Sequence, residues 1–313
     1  MTDSSSVSVP ALESGPLLLW ARDEGLVASA REVRRLAAMR LEVLAGGALP
    51  GRDAADVLLT AQWAVFICWV DDQIDRRGLG SVPGELERFT AALRAVLTPD
   101  EPPDVSTAPA EVLARLLERT AMGMPPAWRS RFTTDYLDFL RACEEEAALR
   151  RARAGLPLAD YLDLRRRTIT LLPMLDVLER TGHAPMPENA QLAAQINDLR
   201  QAVADVAGWA NDLASAADDA SAGQDNLVTL LAREDGCSTA EARARVAAMV
   251  EERRSGLCST AQALRATPGL SPARIQQVIR YVDLTERFMA AIVHWLTITG
   301  RFADVSDPAP PPS

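Results

Sequence analysis

Residues 56–77 constrain the fold more than any other stretch: the run is apolar on nearly every side, holds Trp63, Phe66 and Trp69, and then carries Asp71, Asp72 and Asp75. A helix that is apolar all round belongs inside a protein or inside a membrane. Its most apolar part, 57–70, is interrupted by Thr60 and Gln62 and falls short of the ~20 residues that span a bilayer. The stretch is therefore read as a buried central helix, with carboxylates at the mouth of whatever it buries.

The rest of the chain fits around such a helix. Period-2 alternation is missing, and apolar residues recur at i, i+3 and i+4, the spacing of amphipathic helices. Ala, Leu and Arg, all strong helix formers, dominate. Gly and Pro punctuate the pattern at 46–51, 78–83, 99–109, 125–126, 155–157, 182–187 and 268–269. That leaves roughly ten helices in an all-α, single-domain bundle without a repeat. The domain is expected over 15–305, between disordered tails at 1–14 and, Pro-rich, at 306–313. A second helix stands out over 189–220, where Asn211, Asp212 and Ser215 lie deep inside a long semi-polar run.

Charge narrows the function. The 313 residues carry a net charge of -10, with no lysine at all. Nucleic acid would call for a basic stripe, so it is excluded as a partner, and an anionic membrane surface is disfavoured. Cys68, Cys143, Cys237 and Cys258 are too scattered for a zinc site or a disulfide framework, and no signal-peptide pattern opens the chain. A cytoplasmic protein without a membrane anchor is expected.

Asp71 and Asp75 are one helical turn apart, ~40° in direction, and share a face. Carboxylates that close repel each other, and a helix C-terminus disfavours negative charge. A cation would compensate; Mg²⁺ is hard, prefers oxygen, and is held by few carboxylates plus substrate phosphates. The competing reading is a solvated acidic helix end. Asn211, Ser215 and Asp219, at i, i+4 and i+8, form a second stripe of side-chain oxygens over ~80° of arc. Alone it reads as a polar helix face, although Asn and Ser inside a helix ask for a reason.

Together the two clusters resemble the class I terpene synthases, specifically the bacterial terpene cyclases. That family's DDxxD motif matches Asp71-Asp72-Gln73-Ile74-Asp75. Its N-D-x-x-S-x-x-x-E motif matches residues 211–219 with Asp219 in place of Glu, one methylene shorter. The Lys often found before that position is Asp218 here, and Asn226-Leu227-Val228 matches the N-L-V continuation. Tyr161 to Thr168 resembles the context of the family's diphosphate-sensing arginine, which falls on Arg165. Ile169, one position after Thr168, stands where the family often has Gly, at the break of the sensor helix. Trp295 followed by Arg301-Phe302 resembles the W…R-Y ending, with Phe for Tyr.

The resemblance implies an antiparallel helical bundle around an apolar cavity. It implies three Mg²⁺ ions held by Asp71, Asp75, Asn211, Ser215 and Asp219, and diphosphate contacts from Arg165 and Arg301. The substrate implied is a linear prenyl diphosphate, C15 or C20, ionised and cyclised to a hydrocarbon or alcohol. A dry cavity would protect the carbocation, and aromatic faces at Phe66, Trp69, Trp209, Trp295 and Phe302 would stabilise it. A homodimer stays open. Two alternatives remain: a prenyl-chain elongating synthase, and a non-catalytic isoprenoid-binding bundle.

Overall fold

The computed structural model describes residues 15–75, 78–82, 84–98 and 107–302. The expected tails, the end of the expected domain at 303–305, and the 99–106 part of one expected loop lie outside the described residues. Among the described residues there are thirteen α-helices and no strand. They are α1 (Pro16–Asp23), α2 (Ala30–Met39), α3 (Leu41–Ala48), α4 (Ala54–Asp75), α5 (Glu85–Leu97), α6 (Ala108–Ala121), α7 (Pro126–Ala152), α8 (Leu158–Thr168), α9 (Leu171–Thr181), α10 (Ala193–Ala222), α11 (Leu227–Glu234), α12 (Thr239–Arg265) and α13 (Pro272–Ile298).

Local sequence sets the helix starts. Ser29 and Ser238 build reciprocal capping boxes with Glu32 and Glu241. Thr107, Asn226 and Ser271 cap α6, α11 and α13 through their side chains. The expected loop at 46–51 begins too early: α3 runs through Gly46 and Gly47 to Ala48. Gly47 serves packing there, since a Cβ would stand 3.2 Å from the Ala291 Cβ on α13. All four cysteines are free thiols.

The helix α4 is the centre of the bundle and packs on α1, α3, α6 and α9. At 22 residues it is long and apolar enough, by length and composition, to cross a bilayer, more than the 57–70 run suggests. Here its buried surface is protein core. Trp63 and Phe66 are fully buried. Trp63 meets Phe132 edge-on at 5.3 Å between ring centroids, and Phe132 stacks on Trp128 at the same distance. Burying side chains of this size contributes about 1.5–3 kcal/mol each. The Trp63 indole N–H is not wasted: it donates to Thr120 Oγ1 at 2.8 Å.

Below this aromatic core lies a buried charge cluster that no sequence pattern announces. Arg131 Nε and Arg200 Nη1 both donate to Asp176 Oδ1, at 2.7 and 2.9 Å. Arg131 also pairs with Glu179, and Arg200 with Asp135 at 2.6 Å, Tyr281 Oη at 3.2 Å and the Leu172 carbonyl at 3.2 Å. Four helices, α7, α9, α10 and α13, are tied together at one point. Burial lifts the Asp135 carboxyl to about 6 despite the Arg200 guanidinium beside it. The folded state therefore holds this proton where the unfolded chain, near 3.8, has released it. Stability contributed by Asp135 falls as pH rises through that window. Asp135→Asn should flatten the dependence of Tm on pH between about 4 and 6, read by thermal melts across that range.

Candidate active site

A cavity of about 440 Å³ opens at one end of the bundle, inside the ~300–1,000 Å³ range of small-molecule sites. Its depth is apolar: Leu44, Ala64, Ile67, Met174, Phe288, Ile292 and Trp295 contribute from α3, α4, α9 and α13. Its mouth is charged and strongly acidic. Asp71, Asp72, Asp75, Glu146, Asp212, Asp218, Asp219 and Asp225 line it, against Arg150, Arg165 and Arg301.

The geometry of α4 explains this polarity. Ala64, Ile67, Cys68, Asp71, Asp72, Ile74 and Asp75 line the cavity, a stripe at i, i+3, i+4 and i+7. The same helix face thus runs from apolar depth to acidic rim. Asn211, Ser215 and Asp219 form the facing stripe on α10, all three lining the same cavity. A helix break stands at Ile169, although that residue replaces the usual Gly. The α8 helix ends at Thr168, α9 begins at Leu171, and Thr170 between them takes φ +63°. A β-branched residue in that region is an outlier, and Thr170 lines the cavity; its hydroxyl donates to the Thr168 carbonyl at 3.1 Å.

Each cavity arginine sits on a member of the two motifs. Arg301 Nη2 lies 2.5 Å from Asp71 Oδ2 and 3.4 Å from Asp72 Oδ1, and Arg35 reaches Asp72 Oδ1 at 3.1 Å. Arg150 Nη1 donates to Asp75 Oδ1 at 2.8 Å. Arg165 donates through Nη2 to Asn211 Oδ1 and through Nε to Asp212 Oδ1, both at 2.8 Å. Burial works against the charge of Arg165, and Asp212, Tyr161, Glu146 and Asp219 together outweigh it, holding the guanidinium above its usual range. For Asp212 the balance tips the other way: burial raises its carboxyl, although Arg165, the Tyr161 hydroxyl and the Leu227 N–H all favour the anion. Burial and then the charge of Asp71 raise Asp75. Burial and then Asp75 push Glu146 up to about 7.

The candidate donors are carboxylate, amide and hydroxyl oxygens, the set a hard divalent cation prefers. Among the described residues no three acidic, His or Cys side chains stand ready as a ligand cluster. The oxygens are instead split between two helices and three are engaged by arginines. That arrangement fits ions that arrive together with an anionic ligand able to draw the arginines away.

The expected cavity aromatics divide. Trp295 and Phe302 line the cavity; Phe66, Trp69 and Trp209 do not. The reason is helical phase. Phe66 and Trp69 lie five and two residues before Asp71, ~140° and ~160° from it around α4, and they stack on each other at 6.3 Å. Trp209 is two residues before Asn211, ~160° around α10, and packs in a separate cluster with Tyr161, Leu227 and Leu231. Phe288 and Tyr161 line the cavity in their stead. Glu146 and Arg150 also escaped the sequence reading. They stand one turn apart on α7, but Arg150 is lost in an arginine-rich run and only the tertiary pairing with Asp75 distinguishes it.

Arg301 owes its place to the far end of the chain. Trp295 Nε1 donates to the Met39 carbonyl at 2.6 Å, Thr299 Oγ1 to the same carbonyl at 3.1 Å, and Gly300 N to the Ala38 carbonyl at 2.8 Å. A Cβ on Gly300 would stand 3.0 Å from the Ala38 Cβ and 3.1 Å from the Ala38 carbonyl oxygen, so the close approach favours glycine.

Residues 62–255 match the model of terpene synthase family 2, C-terminal metal binding. The chain is 29% identical over 293 residues to pristinol synthase of Streptomyces pristinaespiralis, covering 91% of this chain and 78% of that protein. It is 31% identical over 255 residues to a (-)-beta-caryophyllene synthase, (2E,6E)-farnesyl diphosphate cyclizing, of Saccharothrix espanaensis, covering 79% and 70%. The fold is similar to the crystal structure of germacradien-4-ol synthase from Streptomyces citricolor, with a TM-score of 0.80 at 27% identity, over 96% of this chain and all of that one.

Proposed function

The chain belongs to terpene synthase family 2 and is a class I terpene cyclase, and from that premise we propose that it ionises farnesyl diphosphate with Mg²⁺ and cyclises the C15 cation. The single observation that carries the reading is the meeting of both oxygen stripes and all three arginines at the rim of one apolar cavity. The C15 choice is supported by relatives described as cyclising (2E,6E)-farnesyl diphosphate. The reading takes residues 15–305 as the catalytic domain.

In this reading Asp71 and Asp75 on one side, and Asn211, Ser215 and Asp219 on the other, hold the ions. Bound Mg²⁺ supplies positive charge against the leaving diphosphate. Everything else falls to the chain's own residues. Arg165 and Arg301 exchange their carboxylate and amide partners for diphosphate oxygens. Guanidinium groups make paired, charge-assisted bonds there, which strengthen as negative charge develops on the leaving group. The local cations overturn an acidic rim that would otherwise repel the substrate. The apolar depth excludes the water that would quench the cation. Phe288, Trp295 and Phe302 present ring faces worth ~0.5–2 kcal/mol each to a passing positive charge.

Incubating the protein with farnesyl diphosphate and Mg²⁺, then measuring diphosphate release and cyclic volatiles, tests the proposal. Chelator in excess should stop both. Equal turnover with chelator would defeat the metal assignment, and a longer diphosphate as product would point to chain elongation instead.

A further inference from the structure

Asn226 is fully buried and sits at the start of α11, behind the second oxygen stripe. Its amide is engaged on both sides. Oδ1 accepts from Val228 N at 2.9 Å. Nδ2 donates to the Asp212 carbonyl at 3.0 Å and to Asp219 Oδ2 at 2.7 Å, with Ser215 Oγ at 3.5 Å. A flipped amide would turn its oxygen onto a carboxylate and a carbonyl and its NH₂ onto a backbone N–H, so only one orientation is tenable.

Asp219 has a second partner in Ser215, whose Oγ lies 2.6 Å from the same Oδ2. One carboxylate oxygen of Asp219 is therefore fixed from two sides. A free aspartate near the exposed end of α10 would sample several rotamers, and its short side chain has little reach to spare. The donor that fixes it comes from outside α10, on a residue locked by the cap of the next helix.

We propose that Asn226 is a positioning residue: it holds the Ser215–Asp219 end of the second motif in the arrangement that receives an ion. This rests on the metal reading of that motif. The alternative role is structural, since an N-cap by itself contributes ~1 kcal/mol to its helix. Ser and Thr are also good N-caps but cannot extend an amide N–H to Asp219, so they separate the two roles.

The experiment is a calorimetric titration of Mn²⁺ into the full chain in the presence of inorganic diphosphate, with Tm measured in parallel. Asn226→Ser and Asn226→Thr should each weaken Mn²⁺ binding about 10–100-fold, the usual effect of losing a partner that orients a ligand. Tm should stay near that of the parent. In an Asp219→Ala background, Asn226→Ser should add no further loss, because its effect passes through Asp219. Parent-like affinity in both cap-preserving variants, with Asn211→Ala weakened, would overturn the positioning role alone. A full additional loss in the Asp219→Ala background would overturn it as well. If Asn211→Ala also binds like the parent, the metal reading falls and the inference falls with it.

Discussion

Replacing Asn211 with alanine should lower turnover of farnesyl diphosphate by at least about 10²-fold, the scale on which a single charge-stabilising group acts, while the helical fold and Tm stay close to those of the parent. The side chain is only half-buried and lines the cavity rim. Outside its own helix its side chain meets Arg165, which donates to Oδ1 at 2.8 Å. Nothing in the core depends on it, and alanine is a better helix former than asparagine by a few tenths of a kcal/mol. Stability thus has no reason to fall, whereas the oxygen proposed to hold an ion is removed together with the acceptor that orients Arg165. Steady-state release of diphosphate, far-UV circular dichroism and a thermal melt on the same sample decide the matter. Turnover above one tenth of the parent's would take Asn211 out of the metal site.

Asp176→Ala should act in the opposite sense, costing ~3–5 kcal/mol of stability and lowering Tm by on the order of 10 °C, with the cavity untouched at first order. Asp176 is completely buried, and its Oδ1 faces two guanidinium groups. Removing it leaves Arg131 and Arg200 crowded together in a low-dielectric interior with Glu179 and Asp135 to share. Asp176 is the first charge that opposes burial for both arginines, and Arg200 is the more vulnerable to its loss because it is the more deeply buried. Chemical denaturation of the parent and variant gives the difference directly. A loss below ~1 kcal/mol would mean that Glu179 and Asp135 alone satisfy both arginines.

The two predictions draw on features of unequal legibility. The central helix was readable because a run apolar on all sides has few places to go, and the carboxylates at its end inherit that placement. The α10 stripe, an ordinary polar helix face by itself, was readable only once its spacing was set against the first motif. Phe66, Trp69 and Trp209 were misplaced, although helical phase relative to Asp71 and Asn211 could have excluded them. Composition drew attention to the rings; angle decides where they point. The Asp176–Arg200 cluster, Arg150 and Glu146 were beyond reach for a different reason. Each matters through a partner 24 to 75 residues away, or one packed from another helix, and a single chain gives no measure of such pairings. Gly46 and Gly47 show the converse error, since both lie inside a helix where a loop was expected, and Gly47 stands where α3 meets α13.

The Met39 carbonyl accepts from residues 256 and 260 positions further on, and Arg301 follows directly. This has a consequence for biosynthesis. At ~5–20 residues per second, α2 leaves the peptidyl-transferase centre about 10–50 s before Arg301 is added. Helices α4 to α12 can pack among themselves during that interval, but the rim lacks one of its three cations until the segment that follows α13 docks on α2. A chain that stops short of Arg301 can therefore be largely folded and still lack the guanidinium that pairs with Asp71 at the cavity rim.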